Sequence, residues 1–181
     1  PEFALLDVFR ARLKRNEQEV RETAALAIGI AGRNSHGELE LLQGLAADDA
    51  EGRRAAGGAV DTRTRAFALY GLGLLAHEHS DLAVKRAAFA TARAVLADDR
   101  ASERNLKVAA ITAIGMLDIG GATPGDRSLR DEAIACLEGY YTRDLGSGEQ
   151  LIQAHCPIAV ARLAGRSGPA AAEIKRRCAD D

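Results

Sequence analysis

The chain has 181 residues, 47% hydrophobic and 28% charged, with 24 Lys+Arg against 26 Asp+Glu and a formal net charge of −2. That balance belongs to one globular domain with a real core; it excludes wholesale disorder and the basic surplus of a dedicated nucleic-acid or membrane-surface binder. No apolar run approaches the roughly 18 uninterrupted residues a membrane span needs, and 37 Ala and 21 Leu against 16 Val plus Ile and 7 aromatics read as all-α.

In chain order, Pro1-Glu2-Phe3 reads as a cloning remnant, and residues 4–181 as a single domain expected to be a fragment of a longer protein. Amphipathic helices are predicted over Ala4–Lys14, Gly37–Ala47, Leu82–Ala97 and Leu129–Tyr141, with a trailing one over 169–179. In Leu82–Ala97, the apolar set Leu82, Ala83, Ala87, Phe89, Ala90, Ala94 and Val95 keeps the helical period, and Ser80 and Asp81 offer helix-start side chains. Between these helices lie segments that are apolar nearly all round. Breakers mark the connections: Asp48-Asp49 through Gly57-Gly58, Asp98-Asp99, Gly120 through Gly125, and Gly146-Ser147-Gly148.

The apolar segments repeat. Val20–Gly29, Thr62–Gly71 and Leu106–Gly115 each carry a base in second place, Ala in fifth, a bulky apolar residue in ninth and Gly in tenth. A fainter copy, Ile152–Ala161, has Gln153 for the base and Ala161 for the Gly. The tenth positions, 29, 71, 115 and 161, lie 42, 44 and 46 residues apart. Each period therefore holds two antiparallel helices, and a helix apolar on most faces needs cover from neighbouring pairs.

A period just over 40 residues whose second helix reads Val-Arg-x-x-Ala-Ala-x-Ala-Ile-Gly resembles the HEAT-repeat family of α-solenoids. The resemblance covers the chain after residue 3. It implies an all-α, right-handed superhelix of about four antiparallel helix pairs, roughly 4–32, 36–76, 82–118 and 128–165, plus the trailing helix. The fourth copy departs: Pro157 falls inside its expected helix, where it kinks the helix or marks its true start. Armadillo repeats carry a third short helix per unit, for which the spacing leaves no consistent room.

Gly29, Gly71 and Gly115 each cost a helix roughly 1 kcal/mol against Ala, and close approach of a neighbouring helix is the expected reason. The resemblance implies that second helices line a concave face, so Arg21, Arg63 and Lys107 would border its groove. Such a ladder suits an acidic segment or a phosphate backbone. Alternatively, each base pairs with an acid of the next repeat, for which Glu19, Glu22, Asp61 and Glu103 are at hand. His77-Glu78-His79 has a metal look, but residues two apart on a helix point away from each other, so a polar turn is expected there. His36 and His155 are not followed by Glu. Cys136, Cys156 and Cys178, an odd set without paired spacing, read as reduced thiols.

The expected function is a non-catalytic scaffold that presents a curved helical surface to a protein partner or to another part of the same longer protein. Nucleic-acid binding through Arg53, Arg54, Arg63, Arg65, Arg100, Arg104 and Lys107 is the alternative, and a metal-dependent enzyme ranks below it. The partner-binding residues expected are Arg21, Arg63, Arg65, Phe67, Lys107 and Ile111. Reversing Arg63 and Lys107 to Glu should then abolish partner capture without unfolding. No cofactor, metal or small-molecule substrate is expected, and the compartment expected is the cytoplasm.

Overall fold

The computed structural model describes residues 5–32, 37–98, 103–146, 148–165, 172 and 176. Among the described residues the regular structure is all helical, with no strand. The helices are α1 (Leu5–Leu13), α2 (Gln18–Ala31), α3 (Glu38–Ala47), α4 (Ala50–Ala56), α5 (Thr62–Glu78), α6 (Leu82–Ala97), α7 (Arg104–Gly115), α8 (Pro124–Tyr141), α9 (Gln150–Gln153) and α10 (Cys156–Ala164). No helix among these residues is long and apolar enough to cross a membrane.

Side-chain caps set several of the starts. Asp49 accepts from the Glu51 and Gly52 N–H groups, Asp61 from Thr64 and Asp81 from Ala83, each satisfying amides that have no partner within the helix. Three predicted boundaries need correction. The connection after Asp48 contains α4, because Asp49 caps a run rich in helix formers and Gly52 fits against Gly44. Helix α8 begins at Pro124 rather than Leu129. Pro124 occupies the first turn, where its missing N–H costs nothing, and Thr123 and Asp126 form a reciprocal capping box. In the fourth copy α9 stops at Gln153, and α10 starts at Cys156 with Pro157 in its first turn, so the proline marks a start. Of the trailing helix, only Ala172 and Arg176 are described, both helical.

Helices α1 and α2, α3 and α5, α6 and α7, and α8 and α10 pack as pairs. Across the pairs, α2 lies on α5, α5 on α7 and α7 on α10, while α3 lies on α6 and α6 on α8. Two rows in chain order result, and the core fills the space between them. Leu13, Ile28, Leu42, Leu69, Leu72, Leu106, Ile111 and Ile114 are fully buried there. Within the row α3–α6–α8, Gln43 of α3 donates to the Thr91 hydroxyl of α6 at 2.8 Å.

The repeated glycines sit at the crossings. A Cβ on Gly29 would overlap the backbone of Gly71; one on Gly73 would lie 3.0 Å from the Ala113 Cα; one on Gly115 would lie 2.8 Å from the Ala159 Cα. Backbones this close leave no room for a side chain, so glycine is needed for packing. The three motif glycines lie on α2, α5 and α7, which adjoin in sequence order.

Candidate docking surface

The basic ladder is closed within the chain. Arg21 Nη2 pairs with Asp61 Oδ2 at 3.0 Å, and Arg63 Nη2 pairs with Glu22 Oε2 at 2.9 Å. Each bond spans one repeat and joins α2 to the start of α5, so the acid-pairing alternative describes these two bases. Burial works against the charge on Asp61, but the Thr64 N–H and hydroxyl and the Arg21 guanidinium outweigh it and hold its carboxyl below the ordinary value. Glu22 is only 3% exposed, and its Oε1 has no hydrogen-bond partner among the described residues, so Arg63 is what compensates its charge.

Lys107 serves a different purpose. Its buried Nζ donates to the carbonyls of Val95 at 3.0 Å, Leu96 at 2.9 Å and Asp98 at 2.6 Å, at and just past the end of α6. Gln153, at the same motif place, donates to Tyr140, Tyr141 and Arg143 at the end of α8. Arg21 likewise gives Nη1 to the Arg15 and Asn16 carbonyls just past α1. In the second copy that task falls to Arg65, whose Nε donates to Ala46 O at 2.9 Å near the end of α3. The second motif place is thus a donor that closes the hairpin in three of the four copies. The sequence signal for this was the substitution of Gln for a base, since both types donate and only one is charged.

The two apolar choices both pack on the core, Ile111 inside it and Phe67 at its margin. Ile111 is fully buried between helices, so it packs the stack and offers nothing to a partner. Phe67 is half-buried and meets the Tyr70 ring edge-on, with centroids 6.0 Å apart. The structure therefore does not gather Arg21, Arg63, Arg65, Phe67, Lys107 and Ile111 into one open surface.

Among the described residues, neither the histidines nor the thiols form a reactive constellation. His77 Nδ1 lies 3.1 Å from Met116 O, while His79 Nδ1 accepts from the Asp81 N–H, so the two imidazoles serve different neighbours. Among the described residues no group of three or more His, Cys, Asp or Glu is placed to hold a metal ion. His36, Arg100 and Cys178 lie outside them. Cys136 and Cys156 are free thiols, and burial pushes both upward, Cys156 to about 12 with Cys136 adding to the effect. Burial of this kind works against the thiolate, the reactive form of cysteine.

An open surface does exist, one the repeat motif gave no reason to choose. A groove of about 720 Å³ runs across the C-terminal ends of α5 and α7 and along α10. Leu74, Met116 and Ile158 supply apolar side chains to its lining, and His77, Asp118 and Arg162 supply polar ones. Ile158 is 59% exposed, unusual for a large aliphatic side chain in the first turn of a short helix. Exposed Arg162 makes no ion pair among the described residues.

No protein-family model, no curated protein and no solved structure significantly matches this chain.

Proposed function

We propose that the chain is a HEAT-like, right-handed α-solenoid acting as a non-catalytic scaffold for a protein partner, which it takes up in the groove across α5, α7 and α10. The observation that carries this reading is the row α2–α5–α7–α10, joined at glycine crossings and ending in an apolar groove beside the Arg162 guanidinium, which has no ion pair among the described residues. Stacked helix pairs of this kind present extended surfaces rather than a deep catalytic pocket. Rigid presentation is the mechanism: each pair contributes one strip of side chains, and the ion pairs and carbonyl caps between elements fix their spacing. The partner segment that fits carries apolar side chains for Leu74, Met116 and Ile158 and a carboxylate for Arg162.

The nucleic-acid reading draws less support. Of its bases, Arg53 and Arg54 pair with Asp48 and Glu51, Arg63 pairs with Glu22, and Arg65 and Lys107 cap helix ends. Selection from a displayed random-peptide library tests the proposal. Enriched peptides should combine apolar residues with Asp or Glu and should lose at least tenfold in affinity against Ile158→Glu and Arg162→Glu, measured by fluorescence anisotropy. Absence of enrichment, or binding indifferent to both changes, overturns it; retention on heparin that falls steeply with salt would favour the nucleic-acid reading instead.

A further inference from the structure

At the opposite end of the row, no described residue covers a second face. Helix α2 has α5 on one flank, but its other flank, with that of α1, lies open as a groove of about 380 Å³. On α1, Leu5, Val8 and Arg12 follow one another at helical spacing. On α2, Glu19, Thr23, Ala27 and Ile30 do the same. Leu5, Val8 and Ile30 are 54%, 38% and 65% exposed, a concentration of bare aliphatic surface on one short hairpin. Arg12 and Glu19 line the same groove, are both exposed, and make no ion pair with each other or with any other described residue.

We propose that this face pairs with the same face of a second copy of the chain about a two-fold axis running along the helices. A two-fold contact must be self-complementary, and this face is. The four-residue connection after Leu13 makes α1 and α2 antiparallel, so Arg12 and Glu19 lie at the same end of the hairpin. The axis lays α1 of each copy on α2 of the other. Arg12 then meets the second copy's Glu19, and Glu19 meets its Arg12. Val8 comes level with Thr23 roughly 6 Å further along, and Leu5 falls opposite the Ala27 and Ile30 end. The product is a four-helix contact with two ion pairs at one end and aliphatic packing at the other. Two helices of this length cover a flat area of roughly 400 Å² per copy, about half that of a standard specific interface, so association is weak and concentration-dependent.

Sedimentation velocity over a series from low micromolar to several hundred micromolar tests this. The expected result is a monomer–dimer equilibrium in the wild-type chain. Arg12→Glu alone, or Glu19→Arg alone, should raise the dimer dissociation constant at least tenfold; an equimolar mixture of the two single variants should restore it, because each then presents what the other needs. The double variant R12E/E19R should dimerise by itself. Circular dichroism establishes that each variant is folded, and Ile30→Glu, at the apolar end, gives an independent disruption. A wild-type chain that stays monomeric throughout overturns the proposal. So does a dimer that survives single reversal, a mixture that fails to restore it, or assembly that grows past two copies.

Discussion

Gly29 and Gly71 stand 42 residues apart in sequence and backbone to backbone in space: a Cβ on Gly29 would fall on the Cα and carbonyl of Gly71. This contact sets how closely α2 approaches α5, and the contact of Gly115 with Ala159 does the same for α7 and α10.

Gly29→Ala and Gly115→Ala should therefore destabilise by about 2–4 kcal/mol, although Ala is the better helix former, because the new methyl forces two backbones apart. Gly139 in α8 is the control. A Cβ there meets nothing within 4 Å, so Gly139→Ala should be neutral or stabilise by about 0.5–1 kcal/mol. Urea denaturation of the three variants checks the contrast.

Lys107 is the donor to three carbonyls at the end of α6. Lys107→Met keeps the apolar stem and removes the donor, and should cost about 2–3 kcal/mol by taking a charged hydrogen-bond donor away from the helix-end carbonyls. The reversal of Arg63 and Lys107 to Glu, expected from sequence to spare the fold, should instead melt it. That change opposes Glu22 with a second carboxylate and aims another at carbonyl oxygens. Thermal melts followed by circular dichroism distinguish the two outcomes.

Asp61 caps α5 and pairs with Arg21, and its carboxyl is held below the ordinary aspartate value. The unfolded chain then binds a proton at higher pH than the folded chain does. Its contribution to stability is fully present above the ordinary aspartate value, about 3.9, and is lost as pH falls through the lower folded value. Asp48 and Asp126 are shifted the same way, by the Arg53 side chain and by the Thr123 N–H respectively. Asp61→Ala should cost about 1–2 kcal/mol at pH 7 and reduce the loss of stability below pH 4, as read from denaturation midpoints across pH.

Cys156 is buried, and its thiol is pushed up to about 12 by that burial. Native protein at pH 8 should leave Cys156 unmodified by iodoacetamide over hours, with rapid labelling once urea unfolds it; peptide mass mapping reads both. A raised thiol value also favours the folded state only while the thiol stays protonated. Stability should accordingly decline as pH rises from the ordinary thiol value toward 12.

The helices and their pairing were legible because Ala-rich second helices recur at nearly constant spacing, and because breakers such as Gly120-Gly121 interrupt apolar periodicity. Helix α4 was obscured by Gly52, which reads as a breaker until Gly44 is seen against it. The start of α8 was hidden because Pro124 can end or begin a helix, and only the Thr123–Asp126 box decides which. The ladder was visible as a pattern of donors, yet its partners lie about 40 residues away or at the ends of other helices, and composition cannot show which carbonyl a lysine reaches. Met116 and Arg162 each follow the tenth place, Leu74 lies further on and Ile158 takes the seventh, none of them a place the repeat marks, so only packing reveals them as one groove.

Double electron–electron resonance tests most directly whether the helix pairs lie in open succession. Spin labels at exposed Ile30, Glu78, Asp118 and Arg162, near the ends of α2, α5, α7 and α10, can be read in a chain with Cys136 and Cys178 replaced by Ser. The distance from Ile30 should lengthen in steps of about 8–10 Å to Glu78, Asp118 and Arg162 in turn. An Ile30–Arg162 distance no longer than the Ile30–Glu78 distance would mean a closed bundle and would contradict the account.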